Sequence, residues 1–170
     1  MRSTISIDID APVDLVFDLA RNVERWPDLL PHYRRVRVRE RHDDGAVTAE
    51  MVAIRTVIPV VGLGIPVVWR SRTWSERKAH RLRFVHQGGA TDGMDVTWRI
   101  EPTPAGCRVS IEHEFRPRSR FWGLLVNRFF VRPIATRTLR TFKSIAEAVV
   151  ASGAVRDERS ETAPPPNTRA

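Results

Sequence analysis

Residues 119–152, SRFWGLLVNRFFVRPIATRTLRTFKSIAEAVVAS, form the last long stretch of the chain that can be helical. At helical spacing Phe121, Leu125, Phe129, Ile134, Ile145 and Val149 stay close to one side, while Arg128, Arg137, Arg140 and Lys143 largely take the others. Ser119 is placed to cap the start, and Gly153 follows the expected end. Pro133 lies inside the run, where it lacks a donor N–H and its ring crowds the carbonyl of Phe129. A kink or break is therefore expected near Arg132, with a short aromatic-rich helix before it and a longer one after it. A helix this apolar on one side needs an apolar surface to lie on.

The upstream sequence supplies that surface as strands. Ile5, Ile7 and Ile9 alternate with Ser6, Asp8 and Asp10, which predicts a half-buried strand. Asp10-Ala11-Pro12 then reads as a helix start, with Asp10 available to cap and Pro12 tolerated in the first turn. Val13, Val16, Phe17 and Ala20 give this short helix its apolar stripe, and a second short helical piece runs from Val23 to Leu30. From Tyr33 the period becomes two. Val36 and Val38, then Val47, Ala49, Met51 and Ala53, share faces opposite charged or polar residues. Residues Val57–Val68, VIPVVGLGIPVV, carry no charge but two prolines and two glycines, and predict an apolar hairpin tip or lid. Trp69, Ser71 and Thr73 follow on one face, then Leu82, Phe84 and His86, then Met94, Val96, Trp98 and Ile100. Cys107, Val109, Ile111, His113 and Phe115 complete the strands.

Short, turn-rich connections between these strands require antiparallel pairing. The predicted class is α+β: a curved seven-stranded antiparallel sheet wrapped around a long C-terminal helix, with two short helices after the first strand. Only the terminal helix is long enough to cover a face of that sheet. The space between sheet and helix is the expected functional feature. One domain is predicted over residues 1–153, with a polar, proline-rich and disordered tail over 154–170.

Totals narrow the function. A chain of 170 residues with 42% hydrophobic content accommodates one domain with a true core. No run of about 18 apolar residues suggests a membrane span, and acids occupy the N-terminal segment where an export signal needs its apolar region. A cytoplasmic location is expected. Net charge is +8, and all but Lys78 and Lys143 of the 28 basic residues are arginine. They are spread along alternating strands rather than gathered into a basic block with interleaved aromatics, so nucleic acid is not an expected partner. A single cysteine and five histidines without ligand spacing argue against a metal site, and no motif points to a cofactor.

Ala11-Pro12-Val13 with Val16-Phe17, followed by Glu24-Arg25-Trp26-Pro27-Asp28-Leu29-Leu30-Pro31, resembles the polyketide cyclase/dehydrase branch of the START-like (SRPBCC) superfamily. The resemblance covers about residues 3–150. It implies the helix-grip fold, with a deep apolar cavity between the sheet and the C-terminal helix. The aromatase/cyclases of that branch carry a tyrosine shortly after the Trp-Pro corner, matched by Tyr33. They also carry a tryptophan, serine and arginine at alternate positions of a central strand. Trp69 and Ser71 match the first two, but Thr73 stands at the arginine position, and the neighbouring Arg72 has the outward parity.

The candidate catalytic residues are Tyr33, Ser71, His113 and Arg55, and the candidate cavity wall is Trp69, Thr73, Phe84, His86, Trp98, Ile111 and Phe129. Arg55 has inward parity but stands near a strand end, so it is either a guanidinium in the cavity or a solvated one. His86 and His113 are either acid–base groups or hydrogen-bonded lining. Two functions remain open. One is a polyketide cyclase, aromatase or dehydratase acting on a bound hydrophobic chain. The other is a non-catalytic carrier of a lipid, quinone or isoprenoid, touching membranes through Val57–Val68 and Phe121-Trp122.

Overall fold

The computed structural model describes residues 1–58, 63–88, 91–116 and 119–161. Seven strands form one antiparallel sheet in the order β1-β7-β6-β5-β4-β3-β2. They are β1 (Arg2–Ile9), β2 (Tyr33–Arg41), β3 (Val47–Ile58), β4 (Leu63–Glu76), β5 (Arg81–Gln87), β6 (Asp95–Thr103) and β7 (Gly106–Glu114). Every sequential pair from β2 to β7 is a hairpin, and β1 closes against β7. Alternation gave the faces of β3 to β7 correctly, while on β2 a register shift between Tyr33 and Arg35 buries Tyr33 against the parity it shares with Arg35 and Arg37. On β7, Cys107, Val109, Ile111 and His113 are buried, while Arg108 and Glu114 are exposed.

Between β1 and β2 lie α1 (Val13–Arg21), a 3-10 turn (Val23–Arg25) and α2 (Trp26–Leu29). Val16, Phe17 and Ala20 are buried on α1 as the stripe predicts. The start differs in detail: Pro12 is itself the N-cap and no side chain caps the helix, so Asp10 does not take that role. The Asp10 backbone N–H instead donates to the Glu147 carboxylate at 3.0 Å, and Lys143 Nζ donates to the Asp8 carbonyl at 2.7 Å. These bonds tie the C-terminal helix to the β1–α1 corner.

That helix is divided as Pro133 requires. Ser119 Oγ accepts from the Trp122 N–H at 3.1 Å at the start of α3 (Arg120–Val126). A π-helical turn spans Asn127–Val131, and α4 runs over Arg132–Glu161. The end expected at Gly153 is not there: the backbone stays helical through it, which a glycine tolerates at a cost of about 1 kcal/mol. Residues 162–170 of the expected tail lie outside the described residues.

The expected apolar face is also corrected. Phe121, Phe129 and Val149 are exposed, and the buried stripe is Val126, Val131, Ala135, Thr138, Leu139, Phe142 and Ala146. A π-turn adds a residue to the helical repeat, so a face counted at a constant 100° per residue loses phase across it.

The uncharged segment Val57–Val68 is mostly strand. β3 continues to Ile58 and β4 begins at Leu63, which are paired with each other; Pro59–Gly62 lie outside the described residues. Pro66 is accommodated because β5 pairs with β4 only over Arg70–Glu76, leaving that side of β4 without a ladder to break. No helix among the described residues is long and apolar enough to cross a membrane.

Candidate functional site

The concave face of the sheet and the α3–α4 segment enclose a cavity of about 390 Å³. One end is closed by Trp26 of the Trp-Pro corner. Its Nε1–H donates to the Ala20 carbonyl at 3.0 Å, and its ring packs against Tyr33, Phe84, Trp98 and Phe142 with centroids 5.1 to 6.1 Å apart. Ile65 and Val68 of β4 and Trp122 of α3, all partly exposed, form the opposite rim.

Of the predicted wall, Trp69, Phe84, His86, Trp98 and Ile111 line the cavity, as do Tyr33 and His113. Four expected residues do not. Ser71 points inward but is wholly buried beneath its neighbours, with its hydroxyl 3.4 Å from the carbonyls of Arg72 and Val85. Thr73 is likewise buried, its hydroxyl 3.5 Å from the Val47 carbonyl. Phe129 is 49% exposed, and Phe130 takes its place on the wall. Arg55 turns out of the cavity: its Nε–H donates to the Phe129 carbonyl, and its Nη1 donates to the Thr56 carbonyl at 2.6 Å. The first of these acceptors is the carbonyl that Pro133 cannot serve.

No charged side chain stands among the described lining residues. The polar groups are few. His86 Nδ1 and Thr91 Oγ1 are 2.9 Å apart, and the His86 ring stacks on Trp69 at 5.9 Å. His113 is 8% exposed and its Nδ1 has no hydrogen-bond partner among the described residues. Burial lowers His86 to a pKa of about 4, with the nearby His113 adding to the effect. Burial likewise takes His113 to about 4, partly offset by the Ser3 backbone. Both imidazoles are therefore neutral near pH 7, each with one donor and one acceptor nitrogen. Burial pushes the Tyr33 phenol well above its ordinary value, partly countered by Thr138, so Tyr33 is a donor at neutral pH.

Thr138 was not anticipated. It lines the cavity from α4 and shares a 2.9 Å hydrogen bond with Nε2 of the buried His32, another imidazole held near 4 by burial and by the Arg137 charge. Its sequence signal was its place three residues after Ala135 and four before Phe142, a face made of small residues between larger ones. Chemically, the arrangement can bind an apolar chain and meet its carbonyl oxygens with neutral donors and acceptors.

Residues 9–143 match the family described as polyketide cyclase/dehydrase and lipid transport. A "Putative polyketide cyclase" of Streptomyces cyaneus is 34% identical over 115 residues, covering 64% of this chain and 68% of that protein. A protein of the same description from Streptomyces halstedii is 32% identical over 105 residues, covering 59% of this chain and 87% of its own. The crystal structure of the Zhui aromatase/cyclase from a Streptomyces species superposes with a TM-score of 0.74 at 16% identity, covering 88% of this chain and 95% of that one. At that identity the superposition speaks for the helix-grip fold alone. The match over most of the domain, on the fold and cavity described, makes this chain a member of the polyketide cyclase/dehydrase and lipid transport family.

Proposed function

We propose that the cavity takes a flexible, carbonyl-rich hydrophobic chain of the polyketone type and promotes its ring closure, as a cyclase or aromatase. The observation that carries this reading is the convergence of Tyr33, His86, His113 and Thr138 on a mainly apolar space of about 390 Å³, a size suited to a small organic ligand. In this reading the Tyr33 phenol donates to a carbonyl oxygen and stabilises the negative charge that develops there. His113, with its free Nδ1, takes the proton from a carbon between two carbonyls. The resulting carbanion attacks a second carbonyl carbon, the C–C bond forms, and the proton returns to the new alkoxide. An imidazole held near 4 is a weak base in the empty site. An enolate beside it raises its proton affinity, so the transfer depends on the bound chain. Holding that chain in a reactive fold is then the larger contribution.

A second reading has its own support. Thr73 stands at the strand position that carries an arginine in the resembling cyclases, Ser71 lies under the wall, and the described lining holds no charge. Those features suit a carrier of a quinone, lipid or isoprenoid. The two are separated by assaying a reactive polyketone analogue and a quinone side by side. For the cyclase, Tyr33→Phe and His113→Ala each lower turnover by about 10²-fold, with ligand affinity shifted by only about 1 kcal/mol. Turnover unchanged in both variants overturns these roles, and tight quinone binding without turnover by the parent protein favours the carrier.

A further inference from the structure

Around the start of α4, Arg128, Arg132, Arg137 and Arg140 line one surface hollow with Pro133 and Thr136. Several arginines on the outer face of the sheet are instead matched to carboxylates: Arg39 to Glu50, Arg83 to Asp95, Arg99 to Glu112 and Arg108 to Asp8. None of the four has a carboxylate partner among the described residues, and Arg137 reaches only the Thr56 hydroxyl, at 3.1 Å. Unmatched guanidiniums in one hollow favour an anion.

Large apolar side chains stand beside them. Phe121, Leu124 and Phe129 are 71%, 63% and 49% exposed. At helical spacing Phe121, Leu124 and Arg128 fall on one stripe, so these knobs and Arg128 share the outer face of α3 and the start of the π-turn, and Arg132, Arg137 and Arg140 follow on α4. Across the opening, Ile65 and Val68 are also exposed and reach the cavity lining, as does Trp122. The apolar patch is thus the rim of the cavity mouth, with the arginine hollow alongside it.

We propose that this rim docks on an anionic lipid bilayer, with Phe121, Leu124 and Phe129 entering the boundary between headgroups and acyl chains and the four arginines meeting headgroup phosphates. An acidic protein could satisfy the cations, but it would need a shaped pocket for each protruding side chain. A bilayer accepts all of them without shape complementarity. The proposal is independent of whether the cavity catalyses or carries.

Sedimentation of the full chain with vesicles tests it, comparing phosphatidylcholine alone with mixtures containing about one third phosphatidylglycerol. The expected result is binding to the mixed vesicles only, weakened at least tenfold between low salt and about 0.5 M salt. Arg128→Glu/Arg132→Glu and Phe121→Ser/Leu124→Ser each lower vesicle affinity at least tenfold. Both variants keep the circular dichroism spectrum and the small-ligand affinity measured without lipid. Arg34→Glu/Arg37→Glu, the same charge change on β2, leaves vesicle affinity within about twofold of the parent. Three results overturn the proposal. They are no binding to anionic vesicles at low salt, binding that survives the Phe121/Leu124 change, and equal loss from the β2 control, which would mark adsorption by net charge alone. Selective retention on an acidic protein without vesicle binding overturns it as well.

Discussion

Keeping His86 and His113 neutral has a consequence for acid stability. In the unfolded chain an imidazole takes up its proton near pH 6.5, but in the folded protein each of these does so only near 4. Between those values the unfolded state binds more protons, so the contribution is complete above 6.5 and is lost as pH falls toward 4. His32 behaves in the same way. A full shift of this size corresponds to about 3 kcal/mol per group. The paired carboxylates Asp8, Asp18 and Glu50 also have lowered values, but theirs is a loss that begins below their ordinary range, near 4. The window from pH 6.5 to 5 therefore isolates the histidines. Urea unfolding should show stability level from pH 8 to 7 and falling through that window, with a shallower fall in His86→Gln and His113→Gln. A level profile down to pH 5 would mean that the imidazoles are not held neutral by the fold. At this scale the sequence was half legible. Alternation gave the correct side for His86, His113 and Ser71, whereas Tyr33 shares the parity of the exposed Arg35 and Arg37 and is turned inward by the register shift between Tyr33 and Arg35. Parity also says nothing of depth, and Ser71 lies under the wall rather than on it. Arg55 shows the other limit, because a long side chain near a strand end can turn to a partner on another element.

The partner in question belongs to the break in the terminal helix. In a regular helix the Phe129 carbonyl would accept from the N–H of residue 133, which proline lacks. The chain answers with a π-turn over Asn127–Val131 and with the Arg55 guanidinium from β3, which donates to that carbonyl. Arg55 thus pins the junction between α3, which forms part of the cavity rim, and α4, which forms its wall. Arg55→Ala should destabilise the protein by about 1 kcal/mol, since solvent near this partly exposed carbonyl supplies some of what is lost. In a Pro133→Ala background the same change should cost distinctly less, because the residue 133 N–H is then available to the carbonyl. A double-mutant cycle on chemical unfolding measures the difference. Equal costs in the two backgrounds would show that the arginine and the proline are not coupled. The break itself was readable from Pro133, and the strands were readable from their period of two. The buried face of the helix was not. The π-turn shifts the phase between Phe129 and Phe130, and the inward stripe includes Ala135, Thr138 and Ala146, whose small side chains give little hydrophobic signal.

Across the whole molecule, one sheet and one helix serve both as core and as container. The end closed by Trp26 is filled by tilted and edge-on rings, and truncating that side chain should cost about 3–5 kcal/mol. The other end holds about 390 Å³ of space whose apolar lining gives up packing partners. Nothing in a list of inward-facing residues distinguishes these two conditions. Their summed volume is in the sequence, but the separation of helix from sheet is not. If the space is retained for a ligand, occupying it with protein should favour stability and oppose binding. Ala135 is the position for this test, since it lines the cavity from α4 and is 7% exposed. Ala135→Leu adds apolar volume where the wall faces empty space, and leucine favours helix almost as well as alanine. The thermal midpoint should hold or rise, in the range of about 0.5–2 kcal/mol typical of cavity filling. Affinity for a polyketone analogue or a quinone should fall at least tenfold. Titration of the folded variant with each probe, beside a melting curve, reads both quantities. Undiminished affinity in a stable variant would place the ligand elsewhere. A lowered midpoint with intact affinity would mean that residue 135 is packed core rather than cavity wall.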